Sequence, residues 1–116
     1  MGPLKEDDMP DDVTQRIKKE IEANKVVIFM KGTPEAPQCG FSAATLEILK
    51  GFPYPFKAVD ILANPEIRER LPEYSNWPTF PQVFIDGKLV GGCDIMHELK
   101  DSGELESLLK ETFETK

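Results

Sequence analysis

Cysteine, histidine, basic charge and long apolar runs are all in short supply in this sequence, and each shortage removes a class of protein. Cys39 and Cys93 are the only cysteines in 116 residues, which is not the dense spacing of a small secreted disulfide framework. His97 is the only histidine; placed inside an expected helix, it reads as a surface residue rather than a metal ligand. Lys plus Arg number 14 against 21 Asp plus Glu, a formal charge of −7. Nucleic acid is thereby disfavoured as the main partner, because a phosphate backbone demands a basic footprint. A local basic pocket for a small anion remains compatible with that balance.

No apolar run approaches the length of a membrane span, so no membrane partner is expected. Residues 1–12 are polar, acidic and proline-containing, without the apolar core of a secretory signal or the arginine-rich character of a transit peptide. The expected setting is a reducing compartment, the cytoplasm. The mitochondrial matrix or plastid stroma is the alternative for a processed form.

The length suits one domain. Residues 1–11 read as a disordered acidic lead-in, and residues 12–116 as the folded unit. Asp12 and Gln15 resemble a capping box, and Val13, Ile17 and Ile21 then repeat at helical spacing until Asn24. Val26-Val27-Ile28-Phe29-Met30 is a continuous apolar, β-branched run, as expected of a strand covered on both faces. Residues 31–38 are a loop by their Gly and Pro content. A helix should follow over residues 40–50, with Phe41, Ala44, Ile48 and Leu49 buried and Gly51 ending it; partial exposure beside Cys39 is the alternative for Phe41.

Pro55 to Asp60 reads as a second strand. Asn64-Pro65 opens a helix, Asn as the cap and Pro at the first position, with Ile67, Leu71 and Tyr74 as its apolar stripe. Asp86-Gly87 between Gln82–Ile85 and Lys88–Val90 is a hairpin signal. Helices over 94–101 and 104–113 are separated by Ser102-Gly103. The βαβ unit predicts a parallel pair and the hairpin an antiparallel one. The expected architecture is α/β, a thioredoxin-like fold with a four-stranded mixed sheet and helices on both faces.

Cys39 falls after a strand and a loop, at the start of a helix. Unpaired N–H groups and the positive end of the helix dipole favour a thiolate there, and Lys31 at the strand end adds to that potential. Three residues on stands Ser42, not cysteine. Cys39-Gly40-Phe41-Ser42 therefore cannot close its own disulfide, and a mixed disulfide on Cys39 needs an outside thiol to resolve it. Glutathione is the obvious one in a reducing compartment.

That tetrapeptide resembles the signature of monothiol, CGFS-type glutaredoxins. Met30-Lys31-Gly32-Thr33-Pro34, Trp77-Pro78-Thr79-Phe80-Pro81-Gln82 and Gly91-Gly92-Cys93-Asp94 are similar to the family's other motifs, in order and at family-like spacing over residues 13–112. The resemblance implies that Lys31 and Arg68 meet a glutathione carboxylate, with Arg70 the competitor for Arg68. It implies that Pro81 is cis, that Phe80 offers its backbone to the cysteinyl unit, and that Cys93 and Asp94 hold the γ-glutamyl end. The charges agree: cations suit the carboxylates of glutathione, and Asp94 suits its ammonium. Cys93 reads as a packed residue with backbone contacts rather than a redox partner, and Trp77 as packing at the loop edge.

Three functions follow. The first is iron–sulfur cluster assembly and transfer. A [2Fe-2S] cluster needs four thiolates, and the resemblance implies a homodimer in which two copies of Cys39 and two glutathiones supply them, for delivery to apo iron–sulfur proteins. The second is a glutathione-dependent thiol–disulfide oxidoreductase acting on glutathionylated protein, an activity that is at most weak in CGFS-type members. The third is an iron-sensing interaction with a BolA-like partner.

Overall fold

Every residue of the run Val26-Val27-Ile28-Phe29-Met30 is buried, and the architecture is built around it. A computed structural model describes residues 12–114; the expected acidic lead-in, residues 1–11, lies outside the described residues. The elements run α1 (Asp12–Ala23), β1 (Val26–Met30), α2 (Gly40–Lys50), β2 (Lys57–Asp60), α3 (Pro65–Ser75), β3 (Gln82–Ile85), β4 (Lys88–Gly91), α4 (Cys93–Ser102) and α5 (Glu104–Glu114).

The sheet order is β2-β1-β3-β4. β1 is parallel to β2 and antiparallel to β3, and β3 is antiparallel to β4. Strand side chains alternate between faces, which divides β1 between two cores. Val26, Ile28 and Met30 pack with Leu46 and Leu49 of α2, Met96 of α4 and Leu105 and Leu109 of α5. Val27 and Phe29 pack with Ile17 and Ile21 of α1 and Ile67 and Leu71 of α3. Helices therefore cover both faces, and the fold is the expected four-stranded mixed, thioredoxin-like one. No helix among the described residues is long and apolar enough to cross a membrane.

Turn chemistry joins the elements as the sequence predicts. Asp86 and Gly87 take φ of 54° and 82°, the left-handed pair that a two-residue hairpin turn requires. The side chain of Asn24 donates to the carbonyl of Glu20 at 2.9 Å and closes the end of α1. Beyond the sheet, Tyr54 stacks on Phe113 at 4.9 Å and docks the end of α5.

Five local expectations need correction. Phe41 is 63% exposed; the first turn of α2 borders a cleft rather than the core, so Ser42, Thr45 and Leu46 join Ile48 and Leu49 on the buried face. Tyr74 is exposed because it lies in the last turn of α3, beyond the contact that Ile67 and Leu71 complete. β2 begins at Lys57, not Pro55; Pro55 has no amide to give a ladder. Asp12 is already helical rather than a cap. Asn64 occupies the cap position of α3, yet its side chain makes no capping bond. Gly51 ends α2 as expected but in right-handed conformation, its amide bonding the carbonyls of Glu47 and Ile48.

Phe29 is fully buried and meets Phe84 edge-on, ring centroids 5.7 Å apart. Phe29→Ala should cost about 3–5 kcal/mol, read as a lower urea midpoint at unchanged slope.

Candidate functional site

The loop after β1 folds back on itself and delivers Cys39 to the start of α2. Gly32 and Pro37 pair across it, and the amide of Gln38 donates to the carbonyl of Lys31 at 2.9 Å. Gly32 has φ of +96°, and a Cβ there would sit 2.6 Å from the Ala36 oxygen and the Gln38 nitrogen. Only glycine fits so tight a return. Asp60, at the end of β2, accepts the Gly32 amide at 2.9 Å and holds the loop against the sheet.

Cys39 is the N-cap residue of α2, in extended conformation. Its thiol is held below the ordinary cysteine value, chiefly by the backbone N–H of Ser42; the N–H of Phe41, the charge of Lys31 and the Ser42 hydroxyl act in the same direction, while burial opposes them. The side chain makes no capping hydrogen bond of ordinary geometry, so the amides act on the sulfur at longer range. Ser42 is wholly buried. Its hydroxyl oxygen accepts the Lys31 amide at 3.0 Å, which leaves the hydroxyl hydrogen for the sulfur.

A cleft of about 570 Å³ opens beside this thiol, and Lys31, Cys39, Arg68, Phe80, Pro81, Cys93 and Asp94 all line it. The seven residues assigned to the site from the sequence are thus in one place. The Phe80–Pro81 peptide is cis. Arg70 is directed elsewhere, to Thr14 at 3.3 Å and Glu73 at 3.6 Å. His97 is exposed on α4 and does not line the cleft. Both cysteines are free thiols.

The cations and Asp94 come from different elements. Lys31 follows β1, Arg68 stands on α3, and Asp94 is in the first turn of α4, where helix amides favour an anion. Gly91, with φ of +147°, lies so near Ile95 that an added Cβ would be 2.7 Å from that side chain. This close approach lets β4 run straight into α4.

Trp77 and Thr79 also line the cleft. Thr79 was readable in the Trp77-Pro78-Thr79 run but carries no charge to draw attention. Gln82 was missed in another way. It is fully buried in β3, and its amide nitrogen donates to the carbonyls of Trp77 at 2.8 Å and Thr79 at 3.1 Å. A glutamine in an otherwise apolar strand was the available signal.

A sheet of this order, with its thiol at the N-terminus of the helix after β1, is of the thioredoxin-like class. Comparison with known proteins narrows the class. The family model described as Glutaredoxin matches residues 26–90. Glutaredoxin 4 of Buchnera aphidicola is 54% identical over 97 residues, covering 84% of this chain and 90% of its own. Glutaredoxin 4 of Escherichia coli K12 is 51% identical over 98 residues, 84% of this chain and 85% of its own. The solution structure of reduced poplar apo GrxS14 superposes with a TM-score of 0.76 at 48% identity, covering 86% of this chain and 92% of that one. The chain belongs to the glutaredoxin family.

The lowered thiol predicts a pH profile. Thiolate is the reactive form, so the rate of Cys39 alkylation should rise with pH through a midpoint below that of a free cysteine and level off above it. Ser42→Ala removes a hydroxyl that favours the thiolate and should move the midpoint upward. An unchanged midpoint would remove the Ser42 hydroxyl from the account and leave its backbone N–H, which the variant keeps.

Proposed function

We propose that this glutaredoxin is of the monothiol, CGFS type, binding glutathione in the cleft and carrying a [2Fe-2S] cluster between two copies of the chain for delivery to apo iron–sulfur proteins. The observation that carries the reading is the pairing of Cys39 with Ser42. The thiol stands at the helix start with its pKa lowered, and the position where a resolving cysteine would sit holds a buried hydroxyl engaged with Lys31. Such a thiol waits for a partner from outside the chain.

The cleft suits glutathione. Lys31 and Arg68 offer charge-assisted donors to its glycine carboxylate, and Asp94 and the first turn of α4 suit the ammonium and carboxylate of its γ-glutamyl end. Phe80, beside the cis bond, presents backbone to the cysteinyl unit, whose sulfur then lies toward Cys39. The donor set also fits a shared cluster. In this reading, as the resemblance to CGFS-type members implies, each chain supplies the Cys39 thiolate at the cleft, and glutathione and a second copy supply the remaining ligands. Cluster cargo so held is exchangeable, because half of its ligands are free small molecules.

The low thiol pKa also favours a second reading, glutathione-dependent thiol–disulfide exchange at the same sulfur. An interaction with a BolA-like partner uses the same shared cluster and adds no residue to the site.

Anaerobic reconstitution with iron, sulfide and glutathione separates the readings. A brown dimer that turns colourless on Cys39→Ser is expected. A colourless monomer with fast glutathione-disulfide turnover would sink the carrier reading in favour of the oxidoreductase. Arg68→Ala should weaken glutathione binding about tenfold, the worth of one charge-assisted hydrogen bond, whereas Arg70→Ala should leave it unchanged, as measured by competition.

A further inference from the structure

Asp60 and Asn64 do not line the cleft, yet both cationic arms of the cleft are tied to them. One carboxylate oxygen of Asp60 accepts two backbone amides, from Gly32 at 2.9 Å and Leu62 at 2.8 Å. The first fixes the residue next to Lys31; the second fixes the turn that leads to α3. The backbone carbonyl of Asp60 accepts the side-chain amide of Asn64 at 2.9 Å. Asn64 is the cap residue of α3, and its own carbonyl accepts the amides of Ile67 at 2.9 Å and Arg68 at 3.2 Å.

Asn64 is a residue whose type and position favour capping, but its side chain gives α3 no cap. Its amide nitrogen goes to Asp60, and its oxygen accepts from Arg16 of α1 at 2.8 Å. The helix forgoes a side-chain cap and is fastened to the end of β2 instead. The consequence is a chain of hydrogen bonds that runs from the Lys31 loop through Asp60 and Asn64 to the turn bearing Arg68.

We propose that Asp60 and Asn64 form a joint that sets the spacing of Lys31 and Arg68, and so act as positioning residues for the anionic glycine end of glutathione. This rests on the reading of Lys31 and Arg68 as the partners of that carboxylate. Two cations gain from one carboxylate only when both reach it together, so loosening either tie spoils recognition of the charge, separately from any effect on the thiol.

The test compares two disulfides, oxidised glutathione and its bis-amide, in which both glycine carboxylates are neutral carboxamides. In each reaction the Cys39 thiolate attacks one sulfur, the Cys39–sulfur bond forms as the S–S bond breaks, and one glutathionyl unit leaves as thiolate. The rate with each probe is followed by intact mass. The ratio of the two rate constants cancels any change in thiol reactivity and isolates recognition of the carboxylate.

The unaltered protein should prefer oxidised glutathione. Asp60→Ala and Asn64→Ala should each reduce that preference about tenfold, the loss of roughly one charge-assisted bond. Asp60→Asn, which keeps an oxygen acceptor for both amides, should retain it. Asp60→Ala also removes a negative charge, which by simple electrostatics would raise the rate with the anionic probe; the joint predicts the opposite sign. Should Asp60→Ala fail to fold, Asn64→Ala decides alone, since it cuts a tie at a half-buried surface position. Preference retained in the Ala variants would overturn the joint and leave the cleft reading standing. Equal rates for both probes in the unaltered protein would overturn the assignment of Lys31 and Arg68, and the joint with it.

Discussion

The amide of Lys31 donates to the hydroxyl of Ser42 across 3.0 Å, and this bond joins the end of the central strand to the first turn of the helix that carries the thiol. Both ends of it matter. On one side it fixes a cation beside the cleft; on the other it orients a hydroxyl whose remaining hydrogen favours a thiolate. Ser42 is wholly buried, so an unpaired polar group there would cost about 1–3 kcal/mol. Its pairing is therefore held by the fold rather than by the ligand. The hydroxyl that stands where a second cysteine would sit also favours the thiolate, adding to the larger effect of the Ser42 backbone N–H.

The rest of the fold brings other groups to that point. β1 is parallel to β2 and antiparallel to β3, so the start of β3, with the cis Phe80–Pro81 bond before it, lies at the same end of the sheet as the end of β1. The hairpin returns the chain so that α4 begins there as well. Two separate cores hold this end together from opposite faces. The chain as a whole is acidic, but Lys31 and Arg68 line the cleft from different elements and make a small cationic region there.

Much of this was legible in the residues. The five apolar residues of β1, the Asp86-Gly87 turn and the Asn64-Pro65 start each carry a local physical signature, and the element order followed from them. Cys39 and Lys31 could be singled out from their places at a helix start and a strand end, whereas Arg68, Phe80, Pro81, Cys93 and Asp94 stood out only through motifs that resemble those of CGFS-type glutaredoxins. What stayed hidden depends on how the chain folds back on itself, over short separations as well as long ones. Helical spacing put Phe41 on a buried face, but the neighbour of that turn is the cleft. Asn64 looked like a cap because capping is a local option, but its oxygen is taken by Arg16, 48 positions away in the chain, and its nitrogen by the Asp60 carbonyl. Asp60 read as the last residue of a strand, and nothing in its neighbours reveals that its carboxylate holds Gly32, 28 positions away in the chain. Gln82 likewise acquires its meaning from the loop folded over it.

The central claim is that one cleft, built around Cys39, receives glutathione by its charged ends. Titration of isotopically labelled protein with S-methylglutathione, which cannot react at sulfur, tests this directly through backbone amide shifts. The account predicts saturable shifts grouped at Lys31, Cys39, Arg68, Phe80, Cys93 and Asp94. Shifts centred instead on the opposite end of the sheet, around Asn24 and Asp86, or no shifts at saturating ligand, would contradict it.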